Sequence, residues 1–347
     1  MTTKSETKSE TTAVNATAPR SLNSALALWL ADGRPVAEAT VIDATGAAPV
    51  PIGGRMIIAS EDDFQGSVSG GCVEADVIAA ALDVIASGKP ETMTFGIADE
   101  VAWRSGLPCG STIHVYVQPV TAQSAATLSD AMLAISRDRQ PRVVETRLSD
   151  GQRTLYDHGH DAPADVVDAL TSGISRRVSR GDSEAFLHAL TPPPRIVVIG
   201  ATHVAQILQY MASAIGYDVV IIDPRSAFTS ATRFDQDPAI TGWPEATLAA
   251  FASDPFTAIV TLTHIGHIDD DAIKIALRLN NRYIGALGSR RTHAARLTRL
   301  KAAGFDDSEL ARIHAPVGLD LGGRTPGEIA VAILGEIVAA FNGKLSE

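Results

Sequence analysis

Cysteine is scarce in this 347-residue sequence, which contains only Cys72 and Cys109. Two cysteines cannot form the disulfide framework of a small secreted protein, and they cannot supply the four ligands of a structural zinc site. We therefore expect a reducing, cytoplasmic environment and a fold that depends on its apolar core.

Positive charge and long apolar runs are also in short supply. The chain has 29 Lys and Arg against 40 Asp and Glu, and the net charge of −11 argues against a general nucleic-acid-binding protein. No apolar run approaches the roughly 18 residues of a membrane-spanning helix, so we expect no membrane partner. Residues 1–19 are polar and lack the apolar centre of a secretory signal, and we predict a disordered tail there.

The sequence does have an apolar fraction of 45% and enough length for two domains. Three prolines at 192–194 interrupt any helix or sheet ladder and mark a boundary. The predicted fold class is α/β: a smaller N-terminal mixed α/β domain over residues 20–191, then a C-terminal Rossmann-like, doubly wound parallel sheet over residues 192–347. In the first domain, periodicity predicts helices over 22–31, 75–86, 127–137 and 164–172, and strands over 37–44, 55–59, 91–95, 112–118, 142–148, 153–156 and 184–190.

The second domain opens with a nucleotide-type pattern. A short apolar strand over 196–199 leads into Gly200, and a helix is predicted from Val204. Strand, glycine turn and helix together form a cradle in which helix N–H groups face an anion. The next strand ends at Asp223, 23 residues after Gly200, where a ribose-binding acid belongs.

The match to the dinucleotide fingerprint G-x-G-x-x-G/A is incomplete. Gly200 and Ala205 fit, but Thr202 stands at the second glycine. A β-branched residue disfavours positive φ, and its side chain occupies space where the backbone would approach a pyrophosphate. We therefore do not expect NAD(P) as the cofactor, and the alternative is a turn that holds no ligand.

The most unusual stretch of the first domain places Cys72 behind Gly70 and Gly71, next to the start of a predicted helix. A helix dipole would stabilise a thiolate there, which favours a soft-ligand or sulfur-handling cysteine. The alternative is a small, buried, apolar cysteine. Cys109 also follows a proline and precedes a glycine in a tight loop, and whether the two cysteines share a site stays open.

Two further stretches follow strands of the second domain. His264 comes after a predicted strand over 257–262, and carboxyl ends of such strands border the ligand crevice. Ser289, Arg290 and Arg291 open a helix after a predicted strand over 282–287, an arrangement that predicts an anion site. The alternative for the arginines is a solvated basic turn.

Taken together, these motifs resemble those of the XdhC/CoxI family, the accessory factors of xanthine-dehydrogenase-type molybdenum enzymes. The resemblance covers roughly residues 20–343. It departs from the family at Thr202, where a glycine is frequent, and at Ile265, where an acid is frequent. The segments that carry it are Gly-Ser-Val-Ser-Gly-Gly-Cys-Val-Glu at 66–74, Leu-Pro-Cys-Gly at 107–110, Gly-Ala-Thr-His-Val-Ala at 200–205, Asp-Pro-Arg at 223–225, and residues 287–292 and 314–326.

The resemblance implies a maturation factor rather than an enzyme. Such a chaperone binds molybdenum cofactor (molybdopterin, with or without an added nucleotide) and supports its sulfuration by a cysteine desulfurase. It then delivers the cofactor to an apo-enzyme of the xanthine dehydrogenase type, and a homodimer is expected. Cys72 is the expected molybdenum or sulfur ligand. The expected cofactor-binding residues are Gly70, Gly71, Cys72, Glu74, Cys109, Gly200, Thr202, His203, Asp223, Arg225, His264, Ser289, Arg290 and Arg291.

Two other functions stay open on the residues alone. The first is an NAD(P)-dependent oxidoreductase on a Rossmann-like fold, which rests on fold analogy. The second is a docking scaffold whose cradle holds no ligand. Retention of cofactor on purification would separate the chaperone from the scaffold, and nicotinamide turnover would reveal the oxidoreductase.

Overall fold

The computed structural model describes residues 22–96, 111–158, 161–234, 238–248 and 254–345. The chain divides into two compact units, Met1–Thr191 and Pro192–Glu347. The N-terminal unit is therefore the longer one, and the prediction that it is the smaller domain is wrong. No described helix combines the length and the apolarity needed to cross a bilayer.

Two antiparallel sheets and four helices make up the described part of the N-terminal unit. The sheets have the strand orders β3-β2-β1-β5-β4 and β7-β6-β9-β8. In chain order the elements are α1 (Leu22–Ala31), β1 (Ala37–Thr45), β2 (Arg55–Ser60), β3 (Asp63–Gly66), α2 (Glu74–Ser87), β4 (Glu91–Phe95), β5 (Thr112–Pro119), α3 (Ala122–Asp138), β6 (Arg142–Arg147), β7 (Arg153–Tyr156), α4 (Ala164–Ser172), β8 (Arg176–Arg180) and β9 (Ser183–Leu190).

Helix α2 covers one face of the first sheet. It buries Val77, Ala81 and Val84, whose spacing of four and three residues places them on one side of a helix. These side chains pack with strand residues such as Val41 and Val115 in one apolar cluster. The helix ends at Gly88, whose φ of 69° provides the left-handed cap that glycine adopts without strain. The apolar face of α2 is thereby packed against the first sheet.

The C-terminal unit is a parallel sheet of six strands in the order β12-β11-β10-β13-β14-β15. The central strands pair in register, with Val197 beside Val220 on one side and Ile259 on the other. The elements are β10 (Arg195–Ile199), α5 (His203–Ala214), β11 (Asp218–Asp223), β12 (Ile240–Thr241), α6 (Pro244–Thr247), β13 (Thr257–Thr261), α7 (Gly266–Leu277), β14 (Tyr283–Ala286), α8 (Arg290–Ala302), α9 (Asp307–Leu310), β15 (Ile313–His314) and α10 (Pro326–Phe341).

Helices cover both faces of this sheet, as the sequence predicted. Ile196 and Val198 pack in one apolar cluster with residues of α5 and α10. Their neighbours Val197 and Ile199 point the other way and pack with residues of α7 and α8. The alternation follows from the two-residue period of a strand, and it makes the sheet doubly wound. The carboxyl ends of β10, β11, β13 and β14 carry the loops that hold the candidate residues.

Candidate functional site

The first candidate site is the loop of residues 67–73, between β3 and α2. Val68 and Val73 are buried in the apolar cluster under the first sheet, so both ends of the loop are anchored. Gly71 between them has a φ of 111°, which favours glycine, and a Cβ there would meet no atom within 4 Å. The buried valines thus anchor the two ends of the loop, and the space around Gly71 is open.

The carboxylate of Glu74, the first residue of α2, organises this loop. Its Oε1 accepts hydrogen bonds from the Ser67 hydroxyl and from the backbone N–H groups of Val68 and Ser69, at 3.2 and 3.0 Å. Its Oε2 accepts from the Ser69 hydroxyl and from the N–H of Gly71 at 2.8 Å. One carboxylate therefore satisfies donors spread over most of the loop.

These bonds keep Glu74 ionised. Burial alone would raise the pKa of Glu74, but the hydrogen bonds from the Ser67 and Ser69 hydroxyls and from the Ser69 backbone lower it to about 2. The same carboxylate accepts from the N–H of Val73 at 3.2 Å, at the positive end of the helix dipole. The start of α2, whose dipole the sequence predicts to stabilise a Cys72 thiolate, thus also holds the Glu74 carboxylate.

Cys72 is exposed on this loop, so the alternative of a buried apolar cysteine is wrong for it. Its backbone N–H donates to the Ser69 hydroxyl oxygen at 2.9 Å, which fixes the backbone while the thiol faces solvent. Gly70, Gly71 and Glu74 lie beside it, as the sequence motif requires. Cys109 lies outside the described residues, and a shared site for the two thiols remains a prediction.

The second candidate region is the turn after β10 in the C-terminal unit. Gly200 has a φ of 119°, and a Cβ at this position would come within 2.8 Å of backbone atoms of Leu262 and Thr263. Only glycine fits where the end of β13 passes so close. Next along the chain, the exposed His203 opens α5 and its Nδ1 hydrogen-bonds Gln206 at 3.2 Å.

Thr202 does not have the positive φ that the second glycine of the dinucleotide fingerprint would have. Its φ is −82° and its ψ is 174°, which is an extended conformation that any residue adopts. Its hydroxyl oxygen accepts from the N–H of Ala205 at 3.4 Å, so it is the N-cap of α5. The prediction that a β-branched residue conflicts with the backbone here is therefore wrong, because this turn needs no positive φ at residue 202.

Asp223 ends β11 and is fully buried. Its Oδ2 accepts from the N–H of Ala201 at 2.8 Å and from Arg225, and its Oδ1 accepts from the Arg225 backbone and side chain, both at 2.9 Å. Burial would raise the pKa of Asp223, but the Arg225 side chain and the two backbone donors lower it. Both carboxylate oxygens are thus already used where a ribose hydroxyl would bind.

The third candidate region is a cleft of about 490 Å³ beyond β13 and β14. His264 stands at one side with a φ of 61°, an uncommon conformation for a residue other than glycine. Ser289 stands at the other side as the N-cap of α8, where its hydroxyl oxygen accepts from the N–H of Thr292 at 3.1 Å. The residues lining the cleft are His264, Gly266, Asp269, Leu287, Gly288, Ser289, Thr292, Arg296 and Arg299.

The cations at this cleft are not the ones that the sequence singled out. Arg290 and Arg291 are exposed, and neither is among its described lining residues. A helix turns about 100° per residue, so Arg296 and Arg299, four and seven residues after the lining residue Thr292, lie on its face of α8, and Arg290 and Arg291 do not. That spacing is the signal that sequence reasoning missed. The phosphate-binding role of Arg290 and Arg291 stays a prediction.

Comparisons with known proteins agree with the two-unit division. Residues 29–96 match the model of the XdhC and CoxI family, and residues 196–337 match the XdhC Rossmann domain. The chain is 29% identical over 319 residues to a Bacillus subtilis protein described as a probable xanthine dehydrogenase subunit, covering 89% of this chain and 94% of that protein. It is 26% identical over 311 residues to the molybdenum cofactor insertion chaperone PaoD of Escherichia coli, covering 89% and 85%.

A solved structure is similar over nearly the whole chain. It is a Bacillus halodurans protein described as a xanthine dehydrogenase, with a TM-score of 0.72 over 93% of this chain and 96% of that one. The sequence identity is 22%, so the likeness concerns the fold. It agrees with the predicted α/β class.

Proposed function

Because this chain belongs to the XdhC and CoxI family, we propose that it is an accessory chaperone for molybdenum cofactor. In this proposal it binds the cofactor, supports its sulfuration and inserts it into a molybdoenzyme of the xanthine dehydrogenase type. The names of the relatives from Bacillus subtilis and Escherichia coli support this role. The cofactor is cargo here, and no catalytic residue is proposed.

The observation that carries the proposal is the exposed Cys72 thiol on a rigid loop within the matched residues 29–96. A thiolate suits a soft metal or a sulfur-bearing group, so the donor fits the cargo. Val68 and Val73 hold the loop in place, and the bonds to Glu74 fix its backbone. The cargo can therefore meet the thiol without reordering of the loop, which lowers the entropic cost of binding.

A separate set of cofactor-binding residues is proposed in the C-terminal unit, considered by itself. Helix N-termini at the turns after Gly200 and Gly288 suit the phosphate of a pterin cofactor. The residues proposed there are Gly200, Thr202, His203, Arg225, His264, Ser289, Arg290 and Arg291, with Asp223 as the positioning residue that holds Arg225. In the N-terminal unit, Gly70 and Gly71 are proposed beside Cys72, with Glu74 holding the loop through its hydrogen bonds. Cys109, outside the described residues, stays a proposed contact.

The proposed partners follow from the same role. They are the apo-molybdoenzyme that receives the cofactor, a cysteine desulfurase that provides sulfur, and a second copy of this chain in a homodimer. A reducing cytoplasm would keep the Cys72 thiol free for this work. Both the mononucleotide and the dinucleotide forms of the cofactor remain candidates.

An NAD(P)-dependent oxidoreductase is the second candidate, and the parallel sheet with its Gly200 turn favours it. The geometry of Asp223 counts against it, because both carboxylate oxygens accept bonds from Ala201 or Arg225. A ribose hydroxyl would have to displace the arginine. The chaperone is therefore the better-supported function.

The test is retention of cofactor by the full-length protein. The chain is purified with a supply of molybdenum cofactor, and bound molybdenum and pterin are measured per protein. We expect Cys72→Ser to weaken retention on the order of tenfold or more, or about 1.4 kcal/mol. Cys109→Ala is the matched thiol variant and should have a smaller effect. Unchanged retention and transfer in Cys72→Ser would refute the assigned role of the thiol.

A further inference from the structure

A buried guanidinium with one unused group lines the cleft beyond β13 and β14. Arg296 is 2% exposed, yet it belongs to the cleft lining. Its Nε donates to Asp270 at 3.3 Å and its Nη2 to the carbonyl oxygen of Leu287 at 3.1 Å. Its Nη1 is buried and has no hydrogen-bond partner among the described residues. Because an unpaired buried donor is costly, this N–H group requires an acceptor that the described part of the chain does not provide.

Arg296 shares its carboxylate partner with a second arginine. The buried Asp270 accepts both from the Nε of Arg296 and from the Nε of Arg299, the latter at 2.5 Å. Asp269, which lines the cleft, accepts from the Thr263 hydroxyl at 2.6 Å. Burial raises the pKa of Asp269 despite this bond and the nearby Arg296. Two guanidinium groups thus share the single carboxylate of Asp270.

Two helices begin at this cleft, which adds to the preference for an anion. Helix α8 runs for 13 residues from Arg290, behind Ser289 and Gly288 in the lining. Helix α7 runs for 12 residues from Gly266, also in the lining, and its N-cap Ile265 offers no side-chain acceptor to the first turn. Positive ends of helix dipoles and free N–H groups of first turns are the elements of phosphate sites.

We infer that this cleft is a binding site for a phosphate monoester or diphosphate group, anchored by Nη1 of Arg296. Arg299, half exposed at the cleft, and the hydroxyls of Ser289 and Thr292 supply further donors. Fork-like guanidinium donors and hydroxyls match the tetrahedral oxygens of a phosphate. The site relies on the proposed function only for the identity of the larger molecule that carries the phosphate.

The test measures binding of inorganic pyrophosphate to the full chain by calorimetry at fixed salt, with circular dichroism to verify folding. We expect Arg296→Met to weaken binding roughly tenfold to a hundredfold, the loss of a hydrogen bond to a charged group. Arg296→Lys keeps the positive charge but lacks the forked guanidinium, so its affinity should lie between that of wild type and that of Arg296→Met. Lys301→Ala removes a cation farther along α8, where Lys301 pairs with Asp307, and should leave affinity unchanged.

The same titration distinguishes the sources of the phosphate. The probes are 5′-CMP, 5′-AMP and isolated molybdopterin, each titrated against wild type and Arg296→Lys. Preference for either nucleotide over pyrophosphate identifies a nucleotide phosphate, and preference for molybdopterin identifies the pterin phosphate. Either preference supports the site if Arg296→Lys weakens binding of the preferred ligand.

Two results would overturn the inference. One is the absence of pyrophosphate binding by wild type at about 10 mM probe, well beyond a Kd of about 1 mM. The other is loss of binding in Arg290→Ala/Arg291→Ala with retention in Arg296→Met, which would place the phosphate on the exposed arginines. If Arg296→Met does not fold, the test uses Arg296→Lys and a substitution of the half-exposed Arg299, Arg299→Gln. Unchanged pyrophosphate affinity in both variants would also refute the site. Failure of the proposed function is separate, because it appears in the Cys72 variants.

Discussion

The Ser69 hydroxyl donates to the Glu74 carboxylate and accepts the N–H of Cys72 at 2.9 Å. This relay connects the first residue of α2 to the backbone that carries the exposed thiol. Because both oxygens of Glu74 accept several bonds, the conformation of the loop depends on one charge. The position of Cys72 is therefore set by a residue that does not contact its sulfur in any described hydrogen bond.

Removing the charge of Glu74 should loosen this loop. We predict that Glu74→Gln lowers the free energy of unfolding on the order of 1–3 kcal/mol, since an amide NH₂ faces donors and leaves N–H groups unpaired. Asp76→Asn is the matched control, because Asp76 lies exposed in the same first turn. Urea unfolding at pH 7 measures both, and equal stability of the two variants would contradict the assigned role.

The contribution of Glu74 should depend on pH in a defined direction. Its pKa is lowered from the ordinary value of 4.5 to about 2 in the folded state. A carboxyl group whose pKa is lowered by folding stabilises the fold at pH values above its unfolded-state pKa. This stabilisation is lost as the pH falls through the folded-state pKa. The stability difference between wild type and Glu74→Gln should thus be constant above about pH 5.5 and shrink between 4.5 and 2. A difference that persists at pH 2 would point to packing instead of charge.

Cys72 should react as an open thiol in the native protein. We predict that native wild type and Cys109→Ala are both modified quickly by a disulfide reagent at the exposed Cys72, whereas the double variant Cys72→Ala/Cys109→Ala is not modified. Replacement of the exposed side chain should change the free energy of unfolding by less than about 0.5 kcal/mol. Slow modification of Cys109→Ala would show that the thiol is shielded in solution.

Thr202 offers a test of a corrected prediction. As the N-cap of α5 it accepts from the N–H of Ala205, so Thr202→Ala should cost about 1 kcal/mol and Thr202→Gly a few tenths. Thr202→Ser keeps the hydroxyl and should be nearly neutral. Thermal unfolding gives the order, and a Thr202→Gly variant less stable than Thr202→Ala would contradict the capping role.

The sequence predicted the parts of the fold that depend on local pattern. Apolar runs such as Val197–Ile199 and the Gly200 turn predict the parallel sheet, and Cys72 is predicted behind two glycines next to the start of a helix. It missed β3 (Asp63–Gly66) and β8 (Arg176–Arg180), because their residues are polar and their strands form by pairing with β2 and β9. In β8, Arg180 is satisfied by Glu145 and Asp165, which are distant in sequence.

In the candidate sites, too, local sequence pattern predicts some features, and others depend on tertiary contacts. Cys72 was predicted from its neighbours, whereas the role of Glu74 depends on three-dimensional bonds to Ser67 and Ser69. Arg296 was missed because one arginine within a basic helix looks like its neighbours. Its burial and its pairing with Asp270, from another helix, appear only when α7 and α8 pack on the sheet.

The last prediction concerns the oxidoreductase alternative, and it rests on Asp223 and Arg225. A nicotinamide enzyme on this fold needs an acid free to bind a ribose hydroxyl, but Asp223 is buried and its carboxylate already accepts from Ala201 and Arg225. We therefore expect the purified chain to show no steady oxidation of NADH or NADPH, or reduction of NAD or NADP, with purines or aldehydes as partners. Arg225→Ala releases one partner of Asp223, and measuring nicotinamide binding by fluorescence in both proteins separates a blocked site from an absent one. Binding by the variant alone would indicate that Arg225 closes a nucleotide site, whereas multiple turnovers by the wild-type chain would overturn the chaperone proposal.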